Sequence, residues 1–137
     1  MMIVDANIIV HALVTSPYSE QARGIFAANL EIAAPDILIG EVANALGKMA
    51  RTQVIKRSQA VLFFDTLQQM PIKLIESTPM LANAFSLSLD FNHGFFDCVY
   101  IETARLKAVR LLTVDERLIK KFGPLFTNII HLTDWTP

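Results

Sequence analysis

The residues best placed to do chemistry are four acidic ones that lie far apart in the chain. They are Asp5, Glu41, Asp97 and Asp115. Asp5 directly follows the apolar run of residues 1–4, and Asp115 directly follows the β-prone run of residues 112–114. Both runs predict β-strands, and parallel α/β sheets bind ligands at the carboxyl ends of their strands. We therefore expect both aspartates to face one crevice, although each of them would also serve as an ordinary helix cap.

The other two acids lie within predicted helices, on faces that point inward. At about 100° per residue, Glu41 lies on the shoulder of the apolar face of its helix. Asp97 shares its face with the apolar residues at i+3, i+4 and i+7. These residues are Tyr100, Ile101 and Ala104. A desolvated carboxylate costs several kcal/mol unless it is protonated, paired or bound to a metal, so each acid needs a partner. A bound metal ion is one such partner, and a distant Arg or Lys is the alternative.

Four converging anions would repel each other strongly without a cation between them. Oxygen ligands suit Mg²⁺ or Mn²⁺. The three histidines and the single cysteine are scattered, which argues against a zinc site and predicts structural roles for them. These residues are His11, His93, His131 and Cys98. The sequence therefore predicts a divalent metal site with Mg²⁺ or Mn²⁺ as cofactor.

The elements that would position these acids alternate between strands and helices. Strands are predicted at residues 1–4, 32–34, 72–75, 110–114 and 128–132. Helices are predicted at residues 19–29, 37–51, 56–70, 78–90, 95–108 and 116–122, with a further helix starting at Ile8. Asn7 and Asp36 are predicted to cap the helices that follow them. This order predicts the α/β class, with a three-layer α/β/α sandwich around a mainly parallel sheet.

Composition predicts a compact cytoplasmic protein, and its overall charge does not by itself indicate a nucleic-acid binder. The chain has 137 residues, of which 53% are hydrophobic, and its formal net charge is −1. Without the four proposed site acids, nine acids remain against twelve Lys and Arg, so the rest of the chain is mildly basic. Clustered cations lie at residues 48–57 and 105–121. They are candidates for phosphate contacts, although solvated helix ends are the plainer interpretation.

Several short motifs together resemble the PIN-domain family. They are Asp5-Ala6-Asn7 after the first strand, Glu41 in Glu-Val-Ala-Asn-Ala-Leu, Phe96-Asp97 with Tyr100, and Thr113-Val114-Asp115. Their order and settings span nearly the whole chain, so residues 1–137 are interpreted as one PIN-like domain. The small size most resembles VapC-type toxins. The chain departs from the usual pattern at Cys98 and at Glu102, which leaves open whether an extra carboxylate borders the pocket.

The resemblance implies a metal-dependent endoribonuclease that acts on tRNA or rRNA, is inhibited by a cognate antitoxin protein and forms a homodimer. Asp5 and Asp97 would ligate a first Mg²⁺, and Glu41 and Asp115 would complete the pocket through water or a second ion. Asn7 and Thr113 would support the site by orienting these acids. No membrane contact is expected.

Two alternatives remain open from the sequence alone. One is a receiver-like phosphoacceptor domain, which also begins with an apolar strand followed by an acid. It is disfavoured because only Asp5 is acidic at the first turn and Ala6 follows it. The other is a catalytically silent PIN-fold interaction module, which the complete set of four acids disfavours.

Overall fold

The architecture is a five-stranded sheet in the order β3-β2-β1-β4-β5. A computed structural model describes all of residues 1–137. The strands are β1 (Met2–Val4), β2 (Ile32–Pro35), β3 (Ile72–Ile75), β4 (Leu111–Thr113) and β5 (Ile129–His131). All neighbouring strands are parallel. Ile3 pairs with Ala33 on one side and with Leu111 on the other, so β1 lies at the centre of the sheet.

Seven α-helices surround this sheet in a three-layer α/β/α arrangement, which confirms the predicted fold class. They are α1 (Ala6–Leu13), α2 (Ser19–Ala27), α3 (Leu38–Arg51), α4 (Arg57–Gln69), α5 (Leu81–Phe91), α6 (Phe95–Lys107) and α7 (Glu116–Phe122). Short 3₁₀ turns at Thr78–Met80 and Leu132–Asp134 precede α5 and follow β5. No helix has both the length and the apolar composition needed to cross a bilayer.

The central strands are buried along their whole length because helices cover them. Every residue of β1, β2 and β4 is buried, as parallel strands with two covered faces require. Helix α6 packs across β1, β2 and β4, and α1 packs against α2, α3 and α4. The carboxyl ends of β1, β2 and β4 therefore meet at one edge, above which α3 and α6 begin.

The two predicted helix caps are wrong. Helix α1 begins at Ala6 after Asp5, so Asn7 lies inside its first turn. Its side-chain amide donates to Asp5 and Thr113 and does not cap the helix. Helix α3 follows Ile37, and no side chain caps it, which leaves Asp36 exposed at the end of β2.

The start of α6 depends on a reversal of the chain after α5. Asn92 ends α5 in the left-handed region with φ 48°, a conformation that Asn tolerates better than most residues. The chain then turns, and α6 begins at Phe95 after Gly94. This turn places Asp97 in the first turn of α6, where the positive end of the helix dipole favours a carboxylate.

Candidate active site

Asp5 lies at the carboxyl end of the central strand and is only 6% exposed. Its Oδ2 atom accepts a hydrogen bond of 2.9 Å from Thr113 Oγ1 and one of 3.1 Å from Asn7 Nδ2. The Asn7 amide also lies 3.3 Å from Thr113 Oγ1. Because β1 and β4 are neighbours, the residues that end them form one hydrogen-bonded unit that holds the Asp5 carboxylate in place.

The electrostatics of Asp5 show that three of the four acids share one space. The pKa of Asp5 is raised from 3.8 to about 7, first by burial and then by the negative charges of Asp97 and Glu41, against the lowering effect of the Thr113 hydrogen bond. Strand β1, helix α3 and helix α6 thus each deliver one carboxylate to the same edge of the sheet. Their mutual repulsion is the property that a cation would relieve.

Glu41 adds a buried acceptor that has no partner. Its Oε1 atom is buried and makes no hydrogen bond, and the hydroxyl of Tyr100 is likewise buried and unpaired. Burial raises the pKa of Glu41, the nearby Tyr100 hydroxyl lowers it, and the charge of Asp97 raises it. Burial also raises the pKa of Tyr100, as do the charges of Glu41 and Asp5. The Tyr100 hydroxyl lies close enough to Glu41 to lower its pKa, so the unpaired Oε1 can accept a hydrogen bond from that hydroxyl or can contact a ligand.

Asp97 has a partner that the sequence did not indicate. Its Oδ2 atom lies 2.7 Å from Nε2 of His93, whose side chain is only 9% exposed. The His93 ring packs edge-on against Phe122, and the neighbouring Asn92 carbonyl accepts a hydrogen bond from Lys121. The prediction of a purely structural role for His93 misses this contact. The only signal in the sequence was that His93 and Asp97 are four residues apart. This spacing was hard to interpret because α6 begins between them, at Phe95.

Asp115 lies at the same edge but turns toward its own helix. Its Oδ1 atom accepts from the backbone N–H groups of Arg117 and Leu118, so it caps α7. Its backbone N–H donates to Thr113 Oγ1 over 3.0 Å, which links it to Asp5 through one hydroxyl. The structure therefore brings Asp5, Glu41 and Asp97 together, and it places Asp115 next to them as a helix cap.

None of the four acids is neutralised by a lysine or an arginine. The structure has three salt bridges: Lys73 with Glu31, Arg105 with Glu102, and the pair of His93 and Asp97. Glu102 is buried, and its oxygens accept hydrogen bonds from Arg105 and from Asn83 of α5. Glu102 is therefore not a further carboxylate of the pocket, since it is paired within the contact between α5 and α6.

The donor set fits a hard divalent cation. It offers carboxylate oxygens, including the unpaired Oε1 of Glu41 and the desolvated carboxylate of Asp5. No group of three or more His, Cys, Asp or Glu side chains is already spaced to hold a metal ion. Mg²⁺ usually keeps several waters and binds through one or two protein carboxylates, so the fit does not require such a group.

Comparison with known proteins shows the family to which the chain belongs. The PIN domain pattern matches residues 2–123. The chain is 30% identical over 128 residues to Ribonuclease VapC3 of Pyrobaculum aerophilum, covering 92% of this chain and 98% of that protein. Its fold resembles the crystal structure of Mycobacterium tuberculosis VapC20, a sarcin-ricin loop cleaving toxin, with TM-score 0.71 and 12% identity over 88% of this chain and 94% of that one.

A second structural neighbour is VapBC2 from Rickettsia felis bound to a promoter DNA fragment. It aligns with TM-score 0.65 and 19% identity over 95% of this chain and 96% of that one. At such low identities the solved structures show a similar fold and no more. The pattern match and the relative at 30% identity establish the family. By both criteria, this chain belongs to the PIN-domain family and is of the VapC type.

Proposed function

We propose that this protein is a divalent-metal-dependent endoribonuclease, the toxin of a toxin-antitoxin pair. The observation that carries the metal-dependent part is the coupling of Asp5, Glu41 and Asp97 at one sheet edge without a Lys or Arg partner. Three carboxylates held in that way destabilise the metal-free protein, and a bound cation would offset the repulsion. The ribonuclease part is supported by the VapC relatives.

The residues at the edge divide into those that would hold the ion and those that orient them. Asp5, Glu41 and Asp97 would hold Mg²⁺ or Mn²⁺, and the second oxygen of Asp115 would complete the pocket directly or through water. A divalent ion bound there supplies polarisation of a phosphodiester oxygen and acidifies water for in-line attack. Thr113, by its 2.9 Å hydrogen bond, keeps the Asp5 carboxylate aimed in one direction.

The substrate we propose is a structured RNA such as tRNA or rRNA. VapC20 of M. tuberculosis, which shares this fold, is described as cleaving the sarcin-ricin loop. Exposed cations of this chain, such as Lys48, Arg51, Lys56 and Arg57, would contact the backbone phosphates. The phosphoacceptor alternative is wrong, because the chain belongs to a family of a different kind.

The partners we propose are an antitoxin protein and a second copy of this chain. The Rickettsia felis VapBC2 neighbour is a two-component assembly, which supports an antitoxin partner. Several large apolar side chains on α4 and α5 are exposed and would be covered in such assemblies. They are Val61, Leu62, Phe85 and Leu89. Light scattering of the purified protein, alone and with the co-expressed antitoxin, would measure both associations.

The test of the activity compares Asp97→Asn with wild type on total RNA, in Mg²⁺, in Mn²⁺ and in EDTA, with sequencing of new 5′ ends. We expect discrete cuts from the wild type in either metal, none in EDTA, and a loss of at least about 100-fold in the variant. Asp90→Asn, which removes an exposed acid from α5, is the matched control and should cleave normally. Cleavage by wild type in EDTA would refute the metal dependence. No cleavage under any condition would support the silent interaction module instead.

A further inference from the structure

A cavity of about 470 Å³ opens beside the acidic edge, and apart from Glu41 its lining residues take no part in the chemistry described so far. Its walls come from the end of β2, the first turns of α3 and the start of α6. The lining residues are Asp36, Ile37, Gly40, Glu41, Asn44 and Phe96. Glu41 belongs to both the cavity and the acidic edge, and Phe96 directly precedes Asp97. If a phosphodiester is held at the carboxylates, the nucleotide next to it therefore lies beside this cavity.

The cavity combines the two kinds of side chain that hold an unpaired base. Phe96 is 51% exposed, although a large apolar side chain usually avoids water, and its ring forms one wall. Single-stranded RNA is recognised by stacking of bases on aromatic rings and by hydrogen bonds to base edges. Asp36 and Asn44 are both exposed and provide polar groups on the same lining. The Asp36 side chain does not cap α3, so it stays free to accept from a ligand.

We propose that this cavity is a nucleobase subsite that prefers guanine next to the scissile phosphodiester. This inference rests on the proposed ribonuclease function. An ionised carboxylate only accepts hydrogen bonds, and its two oxygens match the adjacent N1–H and N2–H donors of guanine. The Asn44 amide donates to the guanine O6 atom. Adenine and cytosine each offer one amino group on that edge, and uracil offers a single imino group, so none satisfies both oxygens of Asp36.

The test measures binding separately from cleavage. Fluorescein-labelled pentamers UUGUU, UUAUU, UUCUU and UUUUU are titrated by anisotropy with the full-length protein in EDTA at low salt. We expect UUGUU to bind the wild type about tenfold more tightly than UUUUU. Phe96→Ala should weaken binding of UUGUU roughly tenfold. Asp36→Asn should reduce the guanine preference to less than about twofold while the other pentamers bind as before.

Leu125→Ala is the control for Phe96→Ala, because Leu125 is 64% exposed and lies in the turn before β5, at an edge of the sheet away from the cavity. Unchanged pentamer binding by Phe96→Ala overturns the subsite. If Phe96→Ala instead dissociates a dimer of the protein, as measured by light scattering, and still binds the pentamers as wild type does, the subsite is likewise overturned. An undiminished guanine preference in Asp36→Asn overturns the assignment of guanine. Guanine-selective binding without cleavage in Mg²⁺ refutes the proposed activity and supports the subsite, whereas cleavage with unselective binding does the reverse.

Discussion

Replacement of Asp5 by asparagine should stabilise the metal-free protein at neutral pH while it abolishes cleavage. The pKa of Asp5 is about 7 in the folded protein, against an ordinary value of 3.8, mainly because of burial. Between these two values the unfolded chain has lost the proton and the folded chain has kept it, so stability falls as pH rises. Each pH unit corresponds to about 1.4 kcal/mol, so the loss from Asp5 approaches about 4 kcal/mol by pH 7.

The Asp5→Asn variant would escape this loss because the new side chain carries no charge. Its amide oxygen can still accept the hydrogen bonds that Thr113 and Asn7 donate to Asp5, so the local structure is retained. We therefore expect the free energy of unfolding of Asp5→Asn to exceed that of wild type by about 2 to 4 kcal/mol at about pH 7.5, and by little at about pH 4.

The assay is urea denaturation followed by circular dichroism at pH values from about 4 to 8, first in EDTA and then in Mg²⁺. Mg²⁺ at about 100 times its dissociation constant should stabilise wild type by about 2.7 kcal/mol and the variant by less. If the free energies of unfolding of the two proteins in EDTA change in parallel across this pH range, Asp5 is not desolvated beside other anions. That result would refute the proposed electrostatics of the site.

Substitutions at three further positions separate the roles that the structure assigns to these residues. His93→Ala removes the 2.7 Å contact to Asp97 and should weaken Mg²⁺ affinity, measured by calorimetry, by about 10- to 100-fold. His93→Gln should recover part of this affinity. Equal Mg²⁺ affinities of His93→Ala and wild type would contradict the proposed role of His93. Arg105→Ala leaves the buried Glu102 without its main partner, and because Arg105 lowers the pKa of Glu102, the melting temperature should fall more at about pH 7 than at about pH 3. Asp115→Ala removes the cap of α7 and should lower the free energy of unfolding by about 0.5 to 2 kcal/mol. Asp115→Ser can still cap the helix, so it should keep the stability but lose cleavage. Full activity of Asp115→Ser would show that Asp115 acts only as a helix cap.

Element order and strand-end acids were readable from the sequence because both depend on local pattern. The apolar runs before Asp5 and near Asp115 are β-prone, and a parallel sheet aligns the ends of its strands. The inward direction of Glu41 and Asp97 followed from helical spacing alone, and the charges of both raise the pKa of Asp5. Their roles as metal ligands stay a prediction that the experiments above address.

Helix caps were less predictable, because a polar residue near a helix start can bond either to its own backbone or to a distant side chain. Asn7 has the residue type of a cap and instead donates to Asp5 and Thr113, the latter 106 residues away. Asp36 has the residue type of a cap and instead lines the open cavity beside Glu41. Both choices depend on which elements pack nearby, and local sequence does not contain that information.

The sequence by itself determined which acids are present, which strands and helices hold them, and that no basic residue accompanies Asp97 on the apolar face of its helix. Only the tertiary structure decided that Asp115 turns toward α7, that Glu102 is paired with Arg105 and Asn83, and that His93 reaches Asp97. The reason is physical. Periodicity and propensity act over a few residues, whereas the partner of a charged group is set by three-dimensional packing and by the free energy of leaving that group unpaired.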